Sequence, residues 1–400
     1  MIKKRYVALC LTAILVYSNV GWLKGLHAKN GRASHRTATW HCDGRAKPNP
    51  ALWAPGVAQG TRVLVTGAAG FIGSHVARTC AEDLGMTVIG VDDMSGGFEY
   101  NIFEHERYVF IKGNLRNVTF VSQLWALHGP FAHVYHLAAY AAEGLSHFIR
   151  GFNYNNNLVA SMHVLNAAIN GGTRTFVFTS SIAVYGAGQT PLTESTIPQP
   201  EDPYGVAKYA VELDLRAAHE MFGIDFIIFR PHNVYGPGQN VADKYRNVIG
   251  IFMRQIFAGE PLTIFGDGAQ TRAFSFIDDV APYIARAPLI AGARNEVFNV
   301  GADHAFSLNE LASAVAVAMG VPDASVRHLP ARKEVLHAVA SHAKLACVFQ
   351  PTAPVPLASG LAKMAAWAAQ ERKTNGDFTS IVFEDIEVSK SMPPSWTVKH

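Results

Sequence analysis

The sequence predicts an α/β fold, in which a doubly wound parallel sheet is followed by a smaller C-terminal α/β lobe. From Thr61 onward, short β-branched runs alternate with segments of helical period, which is typical of a parallel sheet covered by helices. A glycine-rich turn separates the first such run from the first such helix. The 400 residues, 49% of them hydrophobic, suffice to bury a sheet of this kind.

The predicted elements follow one another in a regular order. Strands are expected at RVLVTG, MTVIGVDD, RYVFIKGN, FAHVYHLAA, TRTFVFTSS, IDFIIFRP and LTIFG. Helices are expected at Phe71 to Leu84, Val118 to Leu127, Leu158 to Asn170, Tyr204 to Phe222, Val248 to Ala258, Leu308 to Met319 and Leu357 to Arg372. After Pro231 the rhythm loosens into loops rich in glycine and asparagine, and we expect this part to lie over the carboxyl ends of the strands, where open α/β sheets bind ligands.

Charge and cysteine content restrict the classes of partner. The formal net charge of +3 is close to balance, and basic residues form no long run outside the N-terminus. The sequence therefore predicts a small-molecule partner and no nucleic acid. The four cysteines form no CxxC pair and show no metal-like spacing with histidine, which predicts neither a metal site nor a disulfide framework.

The N-terminal residues predict a membrane or targeting segment. Residues 6–23 carry no charge and follow three basic residues, and eighteen such residues are just long enough to span a bilayer. We expect an uncleaved membrane anchor over 1–23, with a Golgi or other endomembrane location, and a linker over 24–58. The alternative is a cleaved signal, with an organelle-targeted or secreted product, because the strongly apolar part from Val7 to Tyr17 is shorter.

A dinucleotide-binding motif follows the first predicted strand. VLVTGAAGFIGSH places Gly67, Gly70 and Gly73 after a strand and at the start of a helix. Such glycines let the backbone turn tightly and approach a pyrophosphate at the positive helix N-terminus. Asp92 ends the second strand about 20 residues later, where a carboxylate can bind the ribose hydroxyls of NAD and would repel the 2′-phosphate of NADP. The motif therefore predicts a Rossmann-type domain that binds NAD.

Tyr204 and Lys208 lie four residues apart at the start of a predicted helix, so both project from one face. A cation beside a phenol lowers the pKa of the phenol, which suits a general base near neutral pH. Ser180 and Ser181 end the strand before this helix. Taken alone the pair could be ordinary solvated residues, but with Ser181 and the glycine motif it predicts a proton-transfer site beside a nicotinamide.

The stretches TGAAGFIGSH, TSSIAVYG, PYGVAKYAVE, RPHNVYGPGQ and TIFGDGAQTRAFSFIDDV carry a family resemblance over roughly Thr61 to Gln350. They resemble the extended short-chain dehydrogenase/reductase family, in particular its nucleotide-sugar epimerases and dehydratases, such as the UDP-glucose 4-epimerases. The resemblance implies a mainly NAD-binding domain over 59–230, a mainly sugar-nucleotide lobe over 231–350, and a C-terminal helix and tail over 351–400. It also implies a homodimer formed through two helices of each subunit.

The resemblance assigns roles to individual residues. Tyr204 would take a proton from the sugar hydroxyl, Lys208 would bind the nicotinamide ribose, and Ser181 would hydrogen-bond the same sugar hydroxyl. The implied cofactor contacts are Gly67, Gly70, Phe71, Ile72, Gly73, Asp92, Asn114, Leu115, Leu137, Ala138, Ala139, Thr179, Tyr204, Lys208 and Pro231. The implied substrate contacts are Ser181, Asn157, Asn233, Arg272 and Arg332. Lys333 competes with Arg332 as the second phosphate ligand, and Asn114 replaces the Asp that usually meets the adenine.

Ile182 and Ala183 narrow the predicted reaction. Family 4,6-dehydratases carry an Asp-Glu pair at this place, and the decarboxylases that make UDP-xylose carry a Glu, whereas neither Ile nor Ala can move a proton. What remains is oxidation at one carbon, rotation of the keto sugar and return of the hydride to its other face. The prediction is an NAD-dependent epimerase acting at C4 of a UDP-sugar, either UDP-glucose/galactose or UDP-glucuronate/galacturonate. The alternatives are another dehydratase or oxidoreductase of the family, and a non-catalytic NAD-binding scaffold.

Overall fold

The computed structural model describes residues 54–188, 190–243, 245–331, 337–376, 383, 385–393 and 396, with only the backbone at 337 and 338. The strands are β1 (Arg62–Thr66), β2 (Thr87–Asp92), β3 (Tyr108–Lys112), β4 (His133–His136), β5 (Thr175–Thr179), β6 (Asp225–Pro231), β7 (Val234–Tyr235), β8 (Leu262–Phe265), β9 (Thr271–Ala273), β10 (Ser275–Phe276), β11 (Glu296–Val300), β12 (Ala305–Ser307), β13 (Val326–Leu329) and β14 (His337–Ala338). The helices are α1 (Phe71–Arg78), α2 (Val118–His128), α3 (Glu143–Ser146), α4 (Arg150–Tyr154), α5 (Ala160–Asn170), α6 (Pro203–Phe222), α7 (Val248–Phe257), α8 (Ala281–Arg286), α9 (Leu308–Ala318), α10 (Ala343–Phe349) and α11 (Leu357–Asn375).

Seven strands form one parallel sheet in the order β11-β6-β5-β4-β1-β2-β3. The chain builds outward from β1 to β3 in one direction and from β4 to β11 in the other, so the strand order reverses between β1 and β4. This arrangement confirms the predicted doubly wound, Rossmann-type fold. In such sheets the reversal point opens a crevice at the carboxyl ends of the strands, which is where ligands bind.

Residues along a central strand alternate between two hydrophobic cores, one on each face of the sheet. In β1, Val63 and Val65 belong to one core and Leu64 to the other. The first core includes residues of α1 and α8, and the second includes residues of α2, α5 and α6. Burial of one side chain such as Leu64 contributes about 1.5–3 kcal/mol, so helices on both faces stabilise the sheet.

Two helices near the cleft show why the chain folds locally as it does. The side chain of Asp202 accepts a hydrogen bond from Gly205 N at 2.8 Å and begins α6, Pro203 occupies its first turn, and Gly223 ends it in the left-handed conformation. α4 and α5 form one continuous helix, which is joined by a π-helical turn at Asn155–Val159. The helix predicted from Leu158 therefore begins earlier, at Arg150.

The segments after β6 form three small sheets, in the orders β10-β7, β12-β9-β14 and β13-β8. They carry residues to the open side of the large sheet, as the loosened sequence pattern predicts. The strand Thr271–Ala273 lies in the middle of the three-stranded sheet and contains Arg272.

The predicted membrane location needs correction. Among the residues that the structure describes, no helix is both long enough and apolar enough to cross a bilayer, which needs about 20 mostly apolar residues. The predicted anchor over 1–23 and most of the linker over 24–58 lie outside the described residues. The lack of such a helix among the described residues contradicts the predicted membrane-anchored Golgi or endomembrane location. Cys80 is a buried free thiol.

Candidate active site

A cleft of about 1120 Å³ lies at the carboxyl ends of β1 to β6. Apart from Asn157, every predicted cofactor and substrate contact that the structure describes lines this cleft. Arg332 and its competitor Lys333 lie outside the described residues. The sequence motifs, which are spread from residue 67 to residue 272, are thus brought to one place.

The turn after β1 needs glycine at two positions. Gly67 has φ +72°, and a Cβ on it would lie 2.8 Å from the backbone nitrogen of Ala138, beyond the neighbouring strand β4. A Cβ on Gly73 would lie 1.9 Å from the carbonyl oxygen of Gly67. The two glycines therefore let α1 begin directly against the strand ends, with its first N–H groups facing the cleft, as a pyrophosphate site requires.

The polar groups around this turn fit NAD. The carboxylate of Asp92 accepts hydrogen bonds from Ala69 N at 3.1 Å and Met94 N at 2.8 Å, which fix its orientation at the end of β2. Burial raises the pKa of this carboxyl, while the backbone donors oppose the shift. The buried hydroxyl of Thr179 faces the cleft and has no hydrogen-bond partner among the described residues, so it is open to a ligand. These residues suit a ribose and a nicotinamide without rearrangement.

Asn114 departs from its expected role. Its side-chain oxygen accepts hydrogen bonds from Arg116 N at 2.9 Å and Arg116 Nε at 3.1 Å. Both lone pairs of that oxygen are thus used within the protein. Asn114 lines the cleft as predicted, but its oxygen is not open to accept the amino group of the adenine.

Ser181, Tyr204 and Lys208 meet at the centre of the cleft. The hydroxyl of Ser181 accepts a hydrogen bond from Ala183 N at 3.1 Å and lies near enough to the phenol of Tyr204 to act on its pKa. Lys208 Nζ lies 5.8 Å from the centroid of the Tyr204 ring and donates to the carbonyl oxygen of Thr179 at 2.8 Å. Ser181 follows β5 by two residues and α6 supplies the other two, so the fold brings these three residues to one part of the cleft.

The pKa directions at this centre differ from expectation. Burial raises the pKa of Tyr204 well above its usual value, and the neighbouring hydroxyl of Ser181 opposes the shift. Burial lowers the pKa of Lys208 to about 7, against the attraction of Glu212. The protein's own groups therefore keep the phenol protonated at neutral pH, and the lowering of its pKa expected from Lys208 is not what they produce.

A buried polar network supports the catalytic helix, and the sequence reasoning missed it. Glu212 accepts a hydrogen bond from Ser180 Oγ at 2.5 Å and forms a two-point ion pair with Arg230, through Nε at 2.9 Å and Nη2 at 2.5 Å. Glu212 is 0% and Arg230 2% exposed, so neither charge is screened by water. The guanidinium also lies 4.6 Å from the ring centroid of Tyr185. The spacing of Glu212, four residues after Lys208 on one helix face, was the available signal.

The side chain of Asn157 is buried and hydrogen-bonded within the protein. It is 1% exposed, and its Nδ2 donates to the carbonyl oxygen of Tyr140 at 3.1 Å and to Asn153 Oδ1 at 2.7 Å. Its Oδ1 accepts from Tyr140 N at 2.7 Å. With both amide hydrogens in use, it has none to donate to a phosphate, so its role is to hold the loop that follows β4.

Asn233 and Arg272 lie together on the other side of the cleft. Asn233 is exposed, and its Nδ2 donates to the carbonyl oxygen of Ala273 at 3.0 Å. Arg272 precedes that carbonyl in β9 and lines the same cleft. The structure thus brings the two predicted phosphate ligands to one wall.

A histidine pair stands behind this wall. His232 Nε2 lies 2.9 Å from His342 Nε2, and His342 Nδ1 lies 2.6 Å from Asp303 Oδ1. The His232 ring is buried, and burial lowers its pKa to about 3. His232 lines the cleft, and both of its ring nitrogens lie within hydrogen-bonding distance of protein atoms. Within the described residues, no group of three or more His, Cys, Asp and Glu side chains could hold a metal ion.

Two further charged groups lie near Tyr204. Arg246 lowers and Glu143 raises the pKa of the phenol through their charges. Arg246 is paired with Asp243 at 2.5 Å, and its guanidinium lies 4.8 Å from the ring centroid of Tyr140. Both Arg246 and Glu143 line the cleft, and no motif in the sequence indicated either.

The chain is similar to proteins of known activity over most of their length. Residues 63–301 match the model of the NAD dependent epimerase/dehydratase family. The UDP-glucose 4-epimerase of Mycolicibacterium smegmatis is 34% identical over 307 residues, which cover 76% of this chain and 96% of that protein.

Two solved structures superpose on the chain. The UDP-glucose 4-epimerase of Thermotoga maritima with UDP-glucose has a TM-score of 0.71 at 31% identity, covering 77% of this chain and 99% of that one. The UDP-glucuronic acid 4-epimerase of Bacillus cereus, in complex with UDP-glucuronic acid and NAD, has a TM-score of 0.70 at 29% identity, with coverage of 77% and 99%. Together these similarities confirm the predicted fold and the predicted cofactor, NAD.

Proposed function

Because this chain belongs to the NAD dependent epimerase/dehydratase family, we propose that it inverts C4 of a UDP-sugar through a transient 4-keto sugar. The candidate substrates are the pairs UDP-glucose/UDP-galactose and UDP-glucuronate/UDP-galacturonate. One observation carries the choice of reaction. Ile182 and Ala183 form the short 3-10 turn Ile182–Tyr185 and line the cleft directly after Ser181. Elimination of water or decarboxylation needs a proton-transferring group at this place, and neither side chain is one.

The residues of the chain have distinct tasks in this reaction. Tyr204 acts in its deprotonated form, which burial disfavours and the positive charge of a bound nicotinamide would favour. In that form it takes the proton of the C4 hydroxyl as the carbon is oxidised, and it returns the proton when the carbon is reduced. Ser181 hydrogen-bonds the same oxygen, and Lys208 binds the nicotinamide ribose. NAD, when bound, supplies the acceptor and later the donor of the hydride. Because the chain adds no second acid or base at Ile182 and Ala183, the keto sugar can only be reduced again, from either face.

Binding of the two nucleotides is divided between the two sides of the cleft. Gly67, Gly70 and Gly73, at the start of α1, suit the pyrophosphate of NAD, and Asp92 suits a ribose. Arg272 suits the diphosphate of the sugar nucleotide, since a guanidinium offers paired donors to phosphate oxygens. Asn233 supports the same group from the neighbouring loop.

The homodimer remains part of the proposal. The helix containing α5 and the helix α6 expose apolar side chains, including Val159 at 38%, Val206 at 40% and Leu213 at 49%. Exposed apolar side chains on neighbouring helices suit a helix–helix interface between subunits. Analytical ultracentrifugation tests the proposed interface. We expect the unmodified protein to be a dimer and a Leu213→Glu variant to be a monomer. A monomer in both cases would contradict the proposed interface.

A panel of UDP-sugars tests the reaction. The purified full chain is incubated with each of the four candidates, and the C4 epimers are separated by chromatography. We expect one pair to interconvert with no net change in NAD. Loss of water from the sugar or steady accumulation of NADH would support a dehydratase or oxidoreductase instead. Bound NAD with no turnover of any UDP-sugar would contradict the proposal and support a non-catalytic role.

A further inference from the structure

The described C-terminal residues 383, 385–393 and 396, which we call the C-terminal segment, are attached to the catalytic domain by specific bonds. The carboxylate of Glu387 accepts hydrogen bonds from Gly151 N at 2.6 Å and Phe152 N at 2.8 Å, in the first turn of α4. The backbone nitrogens of Glu387 and Val388 both donate to the carbonyl oxygen of Phe148. An anion at a helix N-terminus is favoured by the unpaired N–H groups and the helix dipole.

Aromatic packing fixes the end of the segment. Trp396 is only 7% exposed, and its ring lies 5.4 Å from that of Tyr245 and 6.1 Å from that of Phe148. Phe383 lies 4.7 Å from the ring of Phe152 and 5.6 Å from that of Tyr140. Pairs of this geometry are worth about 0.5–1.5 kcal/mol each beyond the area that they bury. The segment is therefore part of the folded domain.

The segment also lines the active-site cleft. Ser391, Pro393 and Trp396 are among its lining residues. Their place along the cleft follows from their neighbours. A Cβ on Gly144 would lie 3.1 Å from the ring of Trp396, and the residue before Gly144 is Glu143, whose charge acts on Tyr204. Trp396 thus lies on the side of the cleft that carries Glu143 and Tyr204.

The segment lies outside the part of the chain that carries the family match, which ends at residue 301. The similar structures cover 99% of their own chains but 77% of this one, so this chain has residues without a counterpart in them. The aromatic wall at the sugar end is therefore a candidate for a property that the family match does not specify.

We propose that the C-terminal segment completes the sugar subsite, with Trp396 providing an apolar face against which the sugar ring or its C5 substituent packs. The inference rests on the proposed function, because it assigns the binding of the sugar part of the candidate UDP-sugars to this wall. Aromatic side chains commonly line small-molecule sites, where a few polar groups fix orientation. Here Tyr204 and Ser181 supply the polar contacts, and the segment supplies the shape.

Calorimetric binding to the full chain tests the inference. In a Trp396→Ala variant the dissociation constants of UDP-glucose and UDP-glucuronate should rise about three- to tenfold, as for loss of one aromatic contact. The dissociation constant of UDP should not change, since UDP has no sugar beyond its own ribose. Trp367→Ala is the matched control, because Trp367 packs against Tyr100 outside this cleft.

A second variant guards against a folding defect at Trp396. Glu387→Gln weakens the attachment of the segment without removing a core side chain, and we expect it to raise the same two dissociation constants by a smaller factor. Asp385→Asn, an exposed acid of the same segment, is its control. Unchanged affinity for both UDP-sugars in both variants, or an equal loss for UDP itself, would overturn the inference alone. Failure of the unmodified protein to bind any UDP-sugar would overturn the proposed function, and this inference with it.

Discussion

The two ends of the cleft are built in different ways. The cofactor end consists of residues that directly follow consecutive strands of one sheet, such as Gly67 after β1, Asp92 at the end of β2 and Thr179 at the end of β5. The proposed sugar end is assembled from segments that are far apart in the chain, including the start of α3 at Glu143, the loop with Arg246 and the C-terminal segment. A parallel sheet fixes the first arrangement by itself, whereas the second depends on packing between loops.

Tyr204, the proposed proton-transfer residue, belongs to neither end alone, and its removal should have the largest effect. We expect Tyr204→Phe to lower kcat by about 10²- to 10⁴-fold, the usual contribution of a positioned acid–base group. The affinity for UDP-sugar and the content of bound NAD should stay within a factor of a few. Tyr209→Phe, one and a half turns further along α6, is the control. A Tyr204→Phe enzyme with near-normal kcat would show that another group moves the proton.

The buried ion pair between Glu212 and Arg230 is expected to stabilise helix α6 beside the cofactor end of the cleft. We expect Glu212→Gln to lower the free energy of unfolding by about 3–5 kcal/mol, because it leaves the buried guanidinium of Arg230 without its counter-charge. Urea unfolding followed by circular dichroism measures this change. Glu220→Gln, on the exposed side of the same helix, should be nearly neutral. A loss below about 1 kcal/mol would mean that the pair contributes little to the helix position.

Arg272 lies on the wall of the cleft that is proposed to bind the diphosphate of the substrate. Its substitution should change the affinity for the substrate and leave turnover nearly unchanged. We expect Arg272→Lys to raise KM for the UDP-sugar about tenfold with little change in kcat, because lysine cannot form the paired bonds of a guanidinium. Arg294→Lys, at an exposed position, is the control. Steady-state kinetics with the preferred UDP-sugar separates the two constants. An equal fall in kcat would place Arg272 closer to the reacting carbon than the structure suggests.

The smallest expected effect concerns pH. The pKa of Lys208 is near 7 in the folded protein and near 10.5 when unfolded, so the folded state binds fewer protons between these values. Burial of Lys208 therefore lowers the free energy of unfolding most below pH 7, and this destabilisation becomes smaller as the pH rises through that window. We expect Lys208→Met to raise the melting temperature by a few degrees at pH 6 and by less at pH 9. Lys373→Met is the exposed control, and its change in melting temperature should not depend on pH. A change for Lys208→Met that is equally independent of pH would contradict the lowered pKa of Lys208.

The sequence predicted the cofactor end well because its signals are local. Gly67, Gly73 and Asp92 have fixed spacings from strand ends, and the α/β alternation predicts where those ends meet. The surroundings of Asn157 could not be predicted, because they depend on packing between distant parts of the chain. Its type and place suit a phosphate ligand, but only the packing shows that both of its amide hydrogens are already used.

The sugar end could not be predicted from spacing. Trp396 and Glu143 are more than 250 residues apart in the sequence, and neither belongs to a motif that indicates contact with the other. The direction in which the pKa of Tyr204 shifts could not be predicted either, because it depends on how completely the phenol is buried. The sequence indicated which residues could take part in the reaction, but it did not indicate their burial or their long-range contacts.

The π-helical turn at Asn155–Val159 has a consequence for the register of the chain. A π turn holds one residue more than an α turn, so the helix before it is rotated by about 100° relative to an uninterrupted α-helix. That rotation points Asn153 at α6, where its Nδ2 donates to the carbonyl oxygen of Pro203 at 2.9 Å, one residue before Tyr204. Deleting one residue from this turn should leave the helix intact but turn Asn153 away. The single extra residue thus orients Asn153 toward the start of α6, next to Tyr204.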